Sequence, residues 1–294
     1  MYLIKADYRK QIQDVNLNQI ISNDDAILDS AQLTAQAESL SYLRQKYDVD
    51  KEFTDTTIWS NSLSYSALNR VYLDADAYSI TSTYALNALT LYNGSVYKCT
   101  TAVTAAEPFN SAKWLLLGAQ NTLYYAKLPA LQFNLKRTYK VGDVVYWVDR
   151  TYTCLKPTTI LSHETALQYG NYSNLPLQNV FPDDPLEGAK YWRPANSAYT
   201  VSAGTSINDA TKWTKGDNRD QQMVTYMIDI TLFHVHSRLA PRNVPQLRID
   251  RYTHAIQWLQ MAGQGAITSS LPLLQPSQGN RIRYGGNIKN QNSY

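Results

Sequence analysis

Apolar side chains at helical spacing mark the first fifty residues. The sequence Ser22-Asn23-Asp24-Asp25 supplies the capping and acidic residues that helix starts favour. Beyond it, apolar residues recur three or four positions apart, at Leu33, Ala37, Leu40, Leu43 and Tyr47. This pattern predicts an amphipathic helix from about residue 24 to residue 47 with that face buried. A shorter helix is predicted over residues 6–13.

The pattern changes between residues 52 and 215. Short runs rich in Thr, Tyr, Val and Trp are interrupted by Asn-Gly, Gly-Asp and Pro, which are turn signals. Such runs are typical of small β strands joined by hairpins. The centre of the chain is therefore predicted to be β structure.

An internal repeat lies within this β-rich segment. Residues 84–99 align without gaps on residues 139–154, and each copy ends in Tyr-x-Cys. Each copy is predicted to form a strand, a two-residue turn (Asn93-Gly94 or Asp149-Arg150) and a second strand. A tryptophan follows each copy, at Trp114 and Trp192, and the second copy has about 23 extra residues before it, over 163–185. Thr211-Lys212-Trp213 resembles Ala112-Lys113-Trp114 and suggests a remnant of a third unit.

Helical spacing returns after residue 217. Asp217-Asn218 is predicted to cap a helix that ends at Leu239 and is buried on more than one side. A second helix is predicted from about Gln246 to Ala262, with Gly263 as its C-cap. Residues 264–294 are rich in Gly, Ser, Pro, Asn and Gln. They are predicted to form an extended tail that orders on a partner or not at all.

These elements predict an α+β fold with a discontinuous helical part. The segments 1–51 and 217–263 are expected to form one helical bundle domain. A small antiparallel β domain, 52–216, interrupts it and contains the repeat over about 84–118 and 139–194. The tail, 264–294, lies outside both. Insertion of this kind needs two host positions that lie close together, as surface loops provide.

The composition narrows the classes of function. Only 17% of the 294 residues are charged and the net charge is +3, whereas Tyr occurs 23 times and Asn and Gln together 40 times. So small a net charge excludes an electrostatic grip on nucleic acid as the main activity. A neutral, amide-rich surface favours fixed contact with other protein or with sugar.

Targeting signals and cysteine clusters are missing from the sequence. The N-terminal residues lack the basic and apolar regions of a secretory signal, and no apolar run approaches the roughly 20 residues that span a bilayer. Cys99 and Cys154 are too few for a disulfide framework and are expected to be small buried hydrophobes. A soluble chain made in a reducing cytoplasm, without membrane contact, is expected.

No set of residues with catalytic or metal-binding spacing is found. His234 and His236 fall two apart on a predicted helix, about 200° around its axis, so they cannot chelate one ion. His163-Glu164 lacks a second acid at a usable spacing. Nucleophile elbows, phosphate-binding glycine loops and zinc-protease motifs do not occur. The sequence therefore predicts no enzyme, no catalytic residue, no metal site and no cofactor.

Aromatic residues in the β segment are the candidate contact residues. Four of them are Tyr92, Tyr146, Trp147 and Trp192. One or two rings in each copy must form its core, since small β units bury little area. The remaining rings are available to press against a protein neighbour or to stack on a glycan, and both alternatives stay open.

Basic residues near the C-terminus form a second candidate group. Arg281, Arg283 and Tyr284 are the single basic and aromatic cluster of the tail, and we expect them to anchor it to a partner. Arg248 and Arg251 on the last predicted helix are interpreted as a solvated face or as subunit salt bridges. Contact with phosphate or an acidic protein surface is the alternative for them.

Two blocks of the helical segments resemble a known family. The first ends in Tyr42-Leu43-Arg44-Gln45-Lys46-Tyr47. The second combines the helix 222–239 with a helix that carries Arg251-Tyr252, Ala255-Ile256 and Trp258-Leu259. Together they cover about 130 residues and resemble the head–tail connector (adaptor or completion) proteins of tailed bacteriophages, in particular the Mu-like branch. The central segment, which compact members lack, resembles small chitin-binding-like β modules through Tyr139, Gly142-Asp143, Tyr146, Tyr152 and Trp192.

The resemblance implies a structural virion protein. Such proteins form rings, commonly of twelve copies, that dock beneath the portal protein, extend the DNA channel and offer a platform to the tail. The implied partners are copies of the chain itself, the portal, other connector or tail proteins and DNA that passes without sequence-specific binding. The implied location is the portal vertex of the virion, after assembly in the host cytoplasm. A carbohydrate-binding decoration or adhesin protein of the virion is the alternative.

Overall fold

The computed structural model describes residues 1–135, 137–157, 181–185, 188–239 and 243–274, and their fold is mixed α+β. A 3₁₀ helix spans Lys5–Lys10 and a second one spans Ser111–Lys113. The α-helices are α1 (Asp14–Ile20), α2 (Asp25–Leu43), α3 (Val49–Glu52), α4 (Gly188–Tyr191), α5 (Gln221–Leu239) and α6 (Gln246–Gln264).

Thirteen short strands form four small sheets in the described residues. They are β1 (Thr56–Ile58), β2 (Tyr65–Ser66), β3 (Arg70–Tyr72), β4 (Leu89–Tyr92), β5 (Ser95–Cys99), β6 (Trp114–Ala119), β7 (Leu123–Ala126), β8 (Leu131–Gln132), β9 (Val144–Trp147), β10 (Arg150–Cys154), β11 (Trp192–Pro194), β12 (Thr200–Val201) and β13 (Trp213–Lys215). The sheet orders are β1-β3-β7-β13, β11-β10-β9-β8, β4-β5-β6 and β12-β2.

One hydrophobic cluster unites the two ends of the chain. Its buried members come only from residues 2–53 and 223–271, and α2, α5 and α6 pack against one another in it. Helix α5 is buried over most of its circumference, as predicted, because it lies between the other helices and the N-terminal segment. Three further clusters contain only residues of the β-rich centre, between Trp59 and Trp213.

The predicted buried face of the helix over residues 24–47 is right at Leu43 and Tyr47, which are buried, and at Leu40, which packs against the helical cluster. It is wrong at Leu33, which is 56% exposed, and at Ala37, which is also exposed. The face of α2 that meets the core combines Leu28 and Leu43 with small or polar residues, namely Ala31, Gln32, Ala35 and Ser39. Ser39 Oγ donates to the Ala35 carbonyl at 2.8 Å and lies 3.2 Å from Met227 Sδ on α5. Small residues let α2 approach an apolar neighbour closely, so the large apolar positions define only part of the contact face.

Helix starts agree with the sequence for α2 and for α6, which begins at Gln246 as predicted, and differ in two other cases. Asp24 caps α2 by accepting from the Ala26 N–H at 3.0 Å, as predicted. The cap of α5 is Asp220, which accepts from the Met223 N–H at 2.7 Å, so the assignment to Asp217-Asn218 was wrong. The single helix predicted over residues 6–13 is a 3₁₀ helix, and α1 follows it unpredicted.

Gly263 lies inside α6 and is not its C-cap. The cap is Gly265, whose φ of 79° is in the left-handed region that glycine adopts readily. A Cβ atom on Gly263 would lie 2.4 Å from the backbone carbonyl oxygen of Tyr42. The missing side chain therefore allows the end of α2 and the end of α6 to touch through backbone.

The start of the tail is ordered on the chain itself, which corrects the expectation for 264–294. The Asp48 N–H donates to the Pro272 carbonyl at 2.8 Å, and the Leu274 N–H donates to the Lys46 carbonyl at 2.9 Å. Leu271 is 4% exposed and belongs to the helical cluster. The burial of Leu271 holds this segment against the helical cluster, which the polar composition of the segment did not predict.

A buried ion cluster joins the N-terminal segment, the β-rich centre and the start of α5. The Arg219 side chain is fully buried; it donates to both carboxylate oxygens of Asp7, at 2.7 and 2.9 Å, and to both of Asp217, each at 2.8 Å. It also donates to the Tyr2 carbonyl at 2.8 Å. The Tyr2 hydroxyl in turn donates to Glu52 Oε1 at 2.7 Å. Every donor of the guanidinium is thereby used.

The second arginine of this cluster reaches it from strand β3. Arg70 donates to the carbonyls of Glu52 and Thr54, and its Nε donates to Asn218 Oδ1 at 2.7 Å. Its side chain is 5% exposed, and Nη2 lies 3.9 Å from Glu52 Oε2. The cluster therefore joins residues that lie more than 200 positions apart in the sequence.

Acid is expected to weaken this junction through Asp217. Burial alone would raise the pKa of Asp217, but hydrogen bonds and charge from Arg219 outweigh it and hold the pKa at about 2. A depressed folded-state pKa contributes stability that is present above the unfolded value of 3.8 and is lost as the pH falls toward 2, by about 2 kcal/mol in total. Glu52 is protonated at a higher pH than Asp217, because burial raises the pKa of Glu52.

Urea unfolding at a series of pH values between 2 and 5 tests this expectation. The free energy of unfolding should fall across the window in the wild type and fall less steeply in Asp217→Asn, which has no carboxylate to protonate. Equal slopes in the two proteins would contradict the assignment.

Candidate functional site

Three units of the β-rich centre have the same strand pairing. We name them repeat A (56–73, 121–127 and 209–215), repeat B (77–119) and repeat C (131–157 and 181–194, without the undescribed 136 and 186–187). In each, an antiparallel hairpin is followed by a third strand that begins with tryptophan, as β3-β7-β13, β4-β5-β6 and β9-β10-β11. The sequence predicted two copies and a remnant; the structure has three.

An equivalent backbone hydrogen bond joins the two strands of each hairpin at the end that lies away from the turn. In repeat B the Asn87 N–H donates to the Cys99 carbonyl at 2.9 Å, and in repeat C the Gly142 N–H donates to the Cys154 carbonyl at 2.9 Å. In repeat A the Leu68 N–H donates to the Ala126 carbonyl, also at 2.9 Å. The donor residue has a positive φ in all three, of 69°, 91° and 66°. Agreement at this level identifies the three units as copies of one structure.

The turn of repeat C is displaced by one residue from its predicted position. Arg150 pairs with Trp147 across the hairpin, so the turn is Val148-Asp149 and not Asp149-Arg150. These residues are the true counterparts of Asn93-Gly94 in repeat B. Val148 has a φ of 55° and is 68% exposed. A β-branched residue is unfavourable in the left-handed region, which explains why the sequence pattern did not mark this position as a turn.

Repeat B interrupts the hairpin of repeat A at its turn. The Asn121 N–H donates to the Leu73 carbonyl at 2.8 Å, and the Leu73 N–H donates to the Thr122 carbonyl at 3.1 Å. Residues 75–120 are thus inserted between Asp74 and Asn121. Without the insertion, these two residues would form the turn that connects the strands. Asn121 keeps the positive φ, 61°, of its counterpart Gly94.

Deleting residues 75–120 is expected to leave the helical part of the chain folded and to destabilise repeat A without unfolding it, because Val96 and Leu117 of the deleted segment share its core. Joining Asp74 to Asn121 recreates a two-residue connection, and Asp and Asn both tolerate turn conformations. Far-ultraviolet circular dichroism and the thermal midpoint should therefore retain the helical transition of the parent. A deletion of 75–121, longer by one residue, is the matched control and should destabilise repeat A further, because a single residue cannot close the hairpin in register. Loss of folding in both variants would contradict the interpretation.

A Tyr–Trp contact forms the core of every copy. The ring centroids are 5.2 Å apart in each pair, Tyr65–Trp213, Tyr84–Trp114 and Tyr139–Trp192, with interplanar angles of 72°, 78° and 76°. The tyrosine hydroxyl accepts at 2.7 Å from the backbone N–H five residues earlier, which belongs to Ser60, Ser79 or Asn134. Much of the unusual aromatic content is therefore structural.

The four candidate contact residues divide into two groups. Trp192 is fully buried and Tyr146 is 6% exposed, so their assignment as contact residues is corrected: they are core residues. Tyr92 is 36% exposed and Trp147 is partly exposed. Tyr92 and Trp147 occupy equivalent positions, the last residue before the hairpin turn. The corresponding residue of repeat A, Leu73, is 1% exposed.

The two exposed rings are each supported by a phenylalanine. Tyr92 stacks on Phe109 with centroids 4.0 Å apart and planes at 7°, and Trp147 lies 5.2 Å from Phe181 at 43°. One face of each ring is thus used in packing, and the exposed part remains available for a ligand or a protein. The exposed side chain of Val148 adds apolar surface next to Trp147 in the sequence. The geometry offers two aromatic contact surfaces of related shape, one on repeat B and one on repeat C.

The remaining candidates lie elsewhere. Arg281, Arg283, Tyr284, His163 and Glu164 fall outside the described residues. Cys99 and Cys154 are buried, and their thiols donate to the carbonyls of Thr101 and Lys156 at 3.1 and 3.0 Å, as expected of structural residues. Burial raises the pKa of Cys154.

The two helical histidines have separate environments. His234 Nε2 lies 3.0 Å from Glu38 Oε2, and the Tyr252 hydroxyl donates to the other oxygen of Glu38 at 2.6 Å. Burial lowers the pKa of His236, and the nearby Arg248 lowers it further. Across the residues that the structure describes, no three His, Cys, Asp or Glu side chains converge as a metal-ligand set.

No protein-family model matches the chain, and no curated protein matches it either. Among the described helices, none combines the length and apolar character that crossing a bilayer requires.

Proposed function

We propose that the chain is a structural protein of a tailed-bacteriophage virion that forms a ring at the portal vertex, joins head to tail and extends the DNA channel. The observation that carries the proposal is the meeting of two distant sequence blocks. Residues that resemble the connector proteins lie on α2 and, about 170 positions later, on α5 and α6. They contribute side chains to one hydrophobic cluster.

The proposed architecture is a helical connector domain made of residues 1–51 and 217–263, with the β-rich segment 52–216 inserted in it. Leu43 of the first block and Leu259 of the second are both fully buried in the shared cluster, which supports a single domain. Thr56 and Asp217 mark the two crossings between the parts. Hydrogen bonds from Thr56 to the carbonyls of Met1 and Tyr2 connect the first crossing to the N-terminal segment, and Arg219 connects the second by donating to Asp217, to Asp7 and to the Tyr2 carbonyl.

The proposed partners are other copies of the chain in a ring of about twelve, the portal protein, and further connector or tail proteins, with DNA passing through the channel. The composition supports permanent contacts, because a surface with few charges loses little solvation when it is covered. The exposed side of α2, which carries Leu33 and Ala37, is one uncharged surface of the required kind. Catalysis and cofactors have no part in this proposal.

Negative-stain imaging of the purified protein, alone and mixed with its portal protein, tests the proposal. Rings that stack coaxially on the portal are the expected result. A protein that stays monomeric in both samples, by imaging and by native mass spectrometry, would contradict it.

A truncation tests the proposed role of the C-terminal residues in the same assembly. Removal of 275–294 takes away Arg281, Arg283 and Tyr284 but keeps Leu271 in the helical cluster. We expect a folded protein that no longer assembles on the portal. If the truncated protein assembled at wild-type efficiency, Arg281, Arg283 and Tyr284 would not take part in the contact with the portal.

Carbohydrate binding by a virion decoration or adhesin protein is the second candidate function. The exposed parts of Tyr92 and Trp147, at equivalent positions of two copies, favour it, because exposed aromatic rings are the usual stacking surface for a sugar. A glycan array should then show binding that is lost in Trp147→Ala and kept in Val148→Ala, which alters the neighbouring exposed position. An array without signal would leave the two rings as protein-contact surfaces.

A further inference from the structure

A polar cavity lies where the helical cluster meets the β-rich centre. Its volume is about 470 Å³. Glu52, Asp220 and Pro272 line it from the helical part of the chain. Arg70 of β3 and Gln132 of β8 line it from the β-rich part. Because these residues are far apart in the sequence, the cavity exists only when the two parts are assembled.

Two charged atoms of this cavity have no hydrogen-bond partner among the described residues. Arg70 uses Nε and Nη1, and Glu52 uses Oε1, in the bonds of the ion cluster. The remaining atoms, Arg70 Nη2 and Glu52 Oε2, lie 3.9 Å apart, which is too far for a hydrogen bond. Neither of them belongs to the polar atoms that are sealed from solvent without a partner.

The cavity is the route by which a ligand reaches these two atoms. The side chains of Arg70 and Glu52 are only 5% and 8% exposed, and both line the cavity. Burial lowers the pKa of Arg70 and raises the pKa of Glu52, because each charge loses hydration. A ligand that hydrogen-bonds to a poorly hydrated charge gains more than one that binds an exposed charge. A donor and an acceptor therefore stand side by side and favour a ligand that can satisfy both.

A primary carboxamide has this combination of groups. Its oxygen accepts and its NH₂ group donates, and both lie on one planar group. A carboxylate ligand would accept from Arg70 but would meet Glu52 as a like charge, and an ammonium ligand would be repelled by Arg70. Lys51, which also lines the cavity, donates to the side-chain oxygen of Gln132 at 2.7 Å. The chain itself thus already pairs a glutamine amide with a cation at this place.

The rest of the cavity wall suits an aliphatic stem. Leu68 and Leu128 line it and are partly buried, and Pro272 adds a third apolar side chain. Methylene groups that cover such side chains are stabilised by the removal of apolar surface from water. Glutamine carries two methylene groups between its amide and its backbone, so it matches both the polar and the apolar part of the wall.

We propose that this cavity binds the side chain of a glutamine, with the amide oxygen on Arg70 Nη2 and the amide NH₂ group on Glu52 Oε2. The methylene groups of the ligand contact Leu68 and Leu128. The glutamine is either the free amino acid or a residue of a protein segment, and both sources share this chemistry. The site is independent of the proposed ring, because it rests only on the geometry of the cavity.

Isothermal titration calorimetry of the full chain with N-acetyl-L-glutamine N-methylamide tests the site. Saturable binding is expected. The corresponding glutamate compound should bind at least about tenfold more weakly, because it loses one hydrogen bond to a buried charge and adds a like charge. Titration with L-glutamine separates the two sources: tighter binding of the blocked compound assigns the site to a protein segment, and tighter binding of L-glutamine assigns it to the free amino acid.

Glu52→Gln removes the accepting atom with little change of shape. The substituted side chain keeps an oxygen for the Tyr2 hydroxyl and the Asp220 N–H but presents an NH₂ group in place of Oε2. Binding of the blocked glutamine should become about tenfold weaker, as loss of a hydrogen bond to a charged group predicts. Asp50→Asn is the matched control, because Asp50 is an exposed acid of the same helix, α3, and should bind as the wild type does.

Leu128→Trp keeps the test decisive if Glu52→Gln unfolds. Leu128 is partly exposed, and a larger ring at its position should fill the cavity and abolish binding. Leu131→Trp is its control, because Leu131 is 66% exposed and does not line the cavity. The proposal would be overturned by absence of saturable binding, which would leave the cavity to solvent, by equal binding of the glutamine and glutamate compounds, or by wild-type binding in Leu128→Trp.

Discussion

Replacing Arg219 by methionine should lower the free energy of unfolding by about 3–5 kcal/mol, the cost of breaking a buried ion pair from one side. Methionine keeps much of the volume but leaves the carboxylates of Asp7 and Asp217, 7% and 19% exposed, without their shared cation. The carbonyl of Tyr2 loses its donor as well. The N-terminal segment and the start of α5 should therefore separate first.

Arg9→Met is the matched control, since it breaks an arginine–aspartate pair of similar geometry at the surface. Arg9 donates to both oxygens of Asp14, but the two side chains are 58% and 44% exposed. Exposed pairs contribute about 1 kcal/mol or less. Urea unfolding followed by circular dichroism at 222 nm measures both variants. An equal decrease in the free energy of unfolding of the two variants would show that burial of the ion pair does not determine how much Arg219 stabilises the protein.

Replacing Trp213 by alanine should cost about 3–5 kcal/mol, the usual range for a buried tryptophan. Trp213 is 2% exposed, contacts Tyr65 and pairs with Ala126 across the third strand of repeat A. Repeat B interrupts the hairpin of repeat A, and repeat C lies between β7 and β13. Loss of repeat A should therefore loosen the connections to both other copies.

Trp114→Ala is the corresponding change in repeat B, where nothing else is inserted. Its effect should stay local, so limited proteolysis is expected to cut within 77–119 and leave the rest resistant. Trp213→Ala should instead expose sites on both sides of repeat B and before β13. Identical cleavage patterns would contradict the nested arrangement of the copies.

The helices could be predicted from the sequence better than their contacts. The spacing around Asp24 and the breaks after Leu239 and before Gln246 located α2, α5 and α6 within a few residues. The buried face of α2 could be predicted only in part, because Ala31, Gln32 and Ser39 are used where a neighbouring helix approaches closely. The backbone contact at Gly263 depends on the same proximity, which no local pattern records.

Repeats B and C were visible because each is nearly continuous in the sequence. Of repeat A only the segment around Trp213 was recognised, as a remnant, although Tyr65 and Leu68 also hold the same positions in it. Its two hairpin strands, β3 and β7, are separated by repeat B, so an alignment without gaps cannot pair them. Of the candidate contact residues, Trp192 and Tyr146 were misassigned because a ring in a strand has the same sequence signature whether it faces the core or the solvent.

The nesting of the copies dictates an order of folding during synthesis. All strand pairs of repeat B lie within residues 89–119, which leave the ribosome close together in time. Repeat A, in contrast, must wait for Trp213, and the helical cluster must wait for Met223 and the residues after it. Helix α2 therefore emerges about 180 residues before its partner α5. Contacts of such long range form slowly. Until then the apolar face of α2 is exposed on the nascent chain. We therefore expect α2 to be the segment that a chaperone binds first.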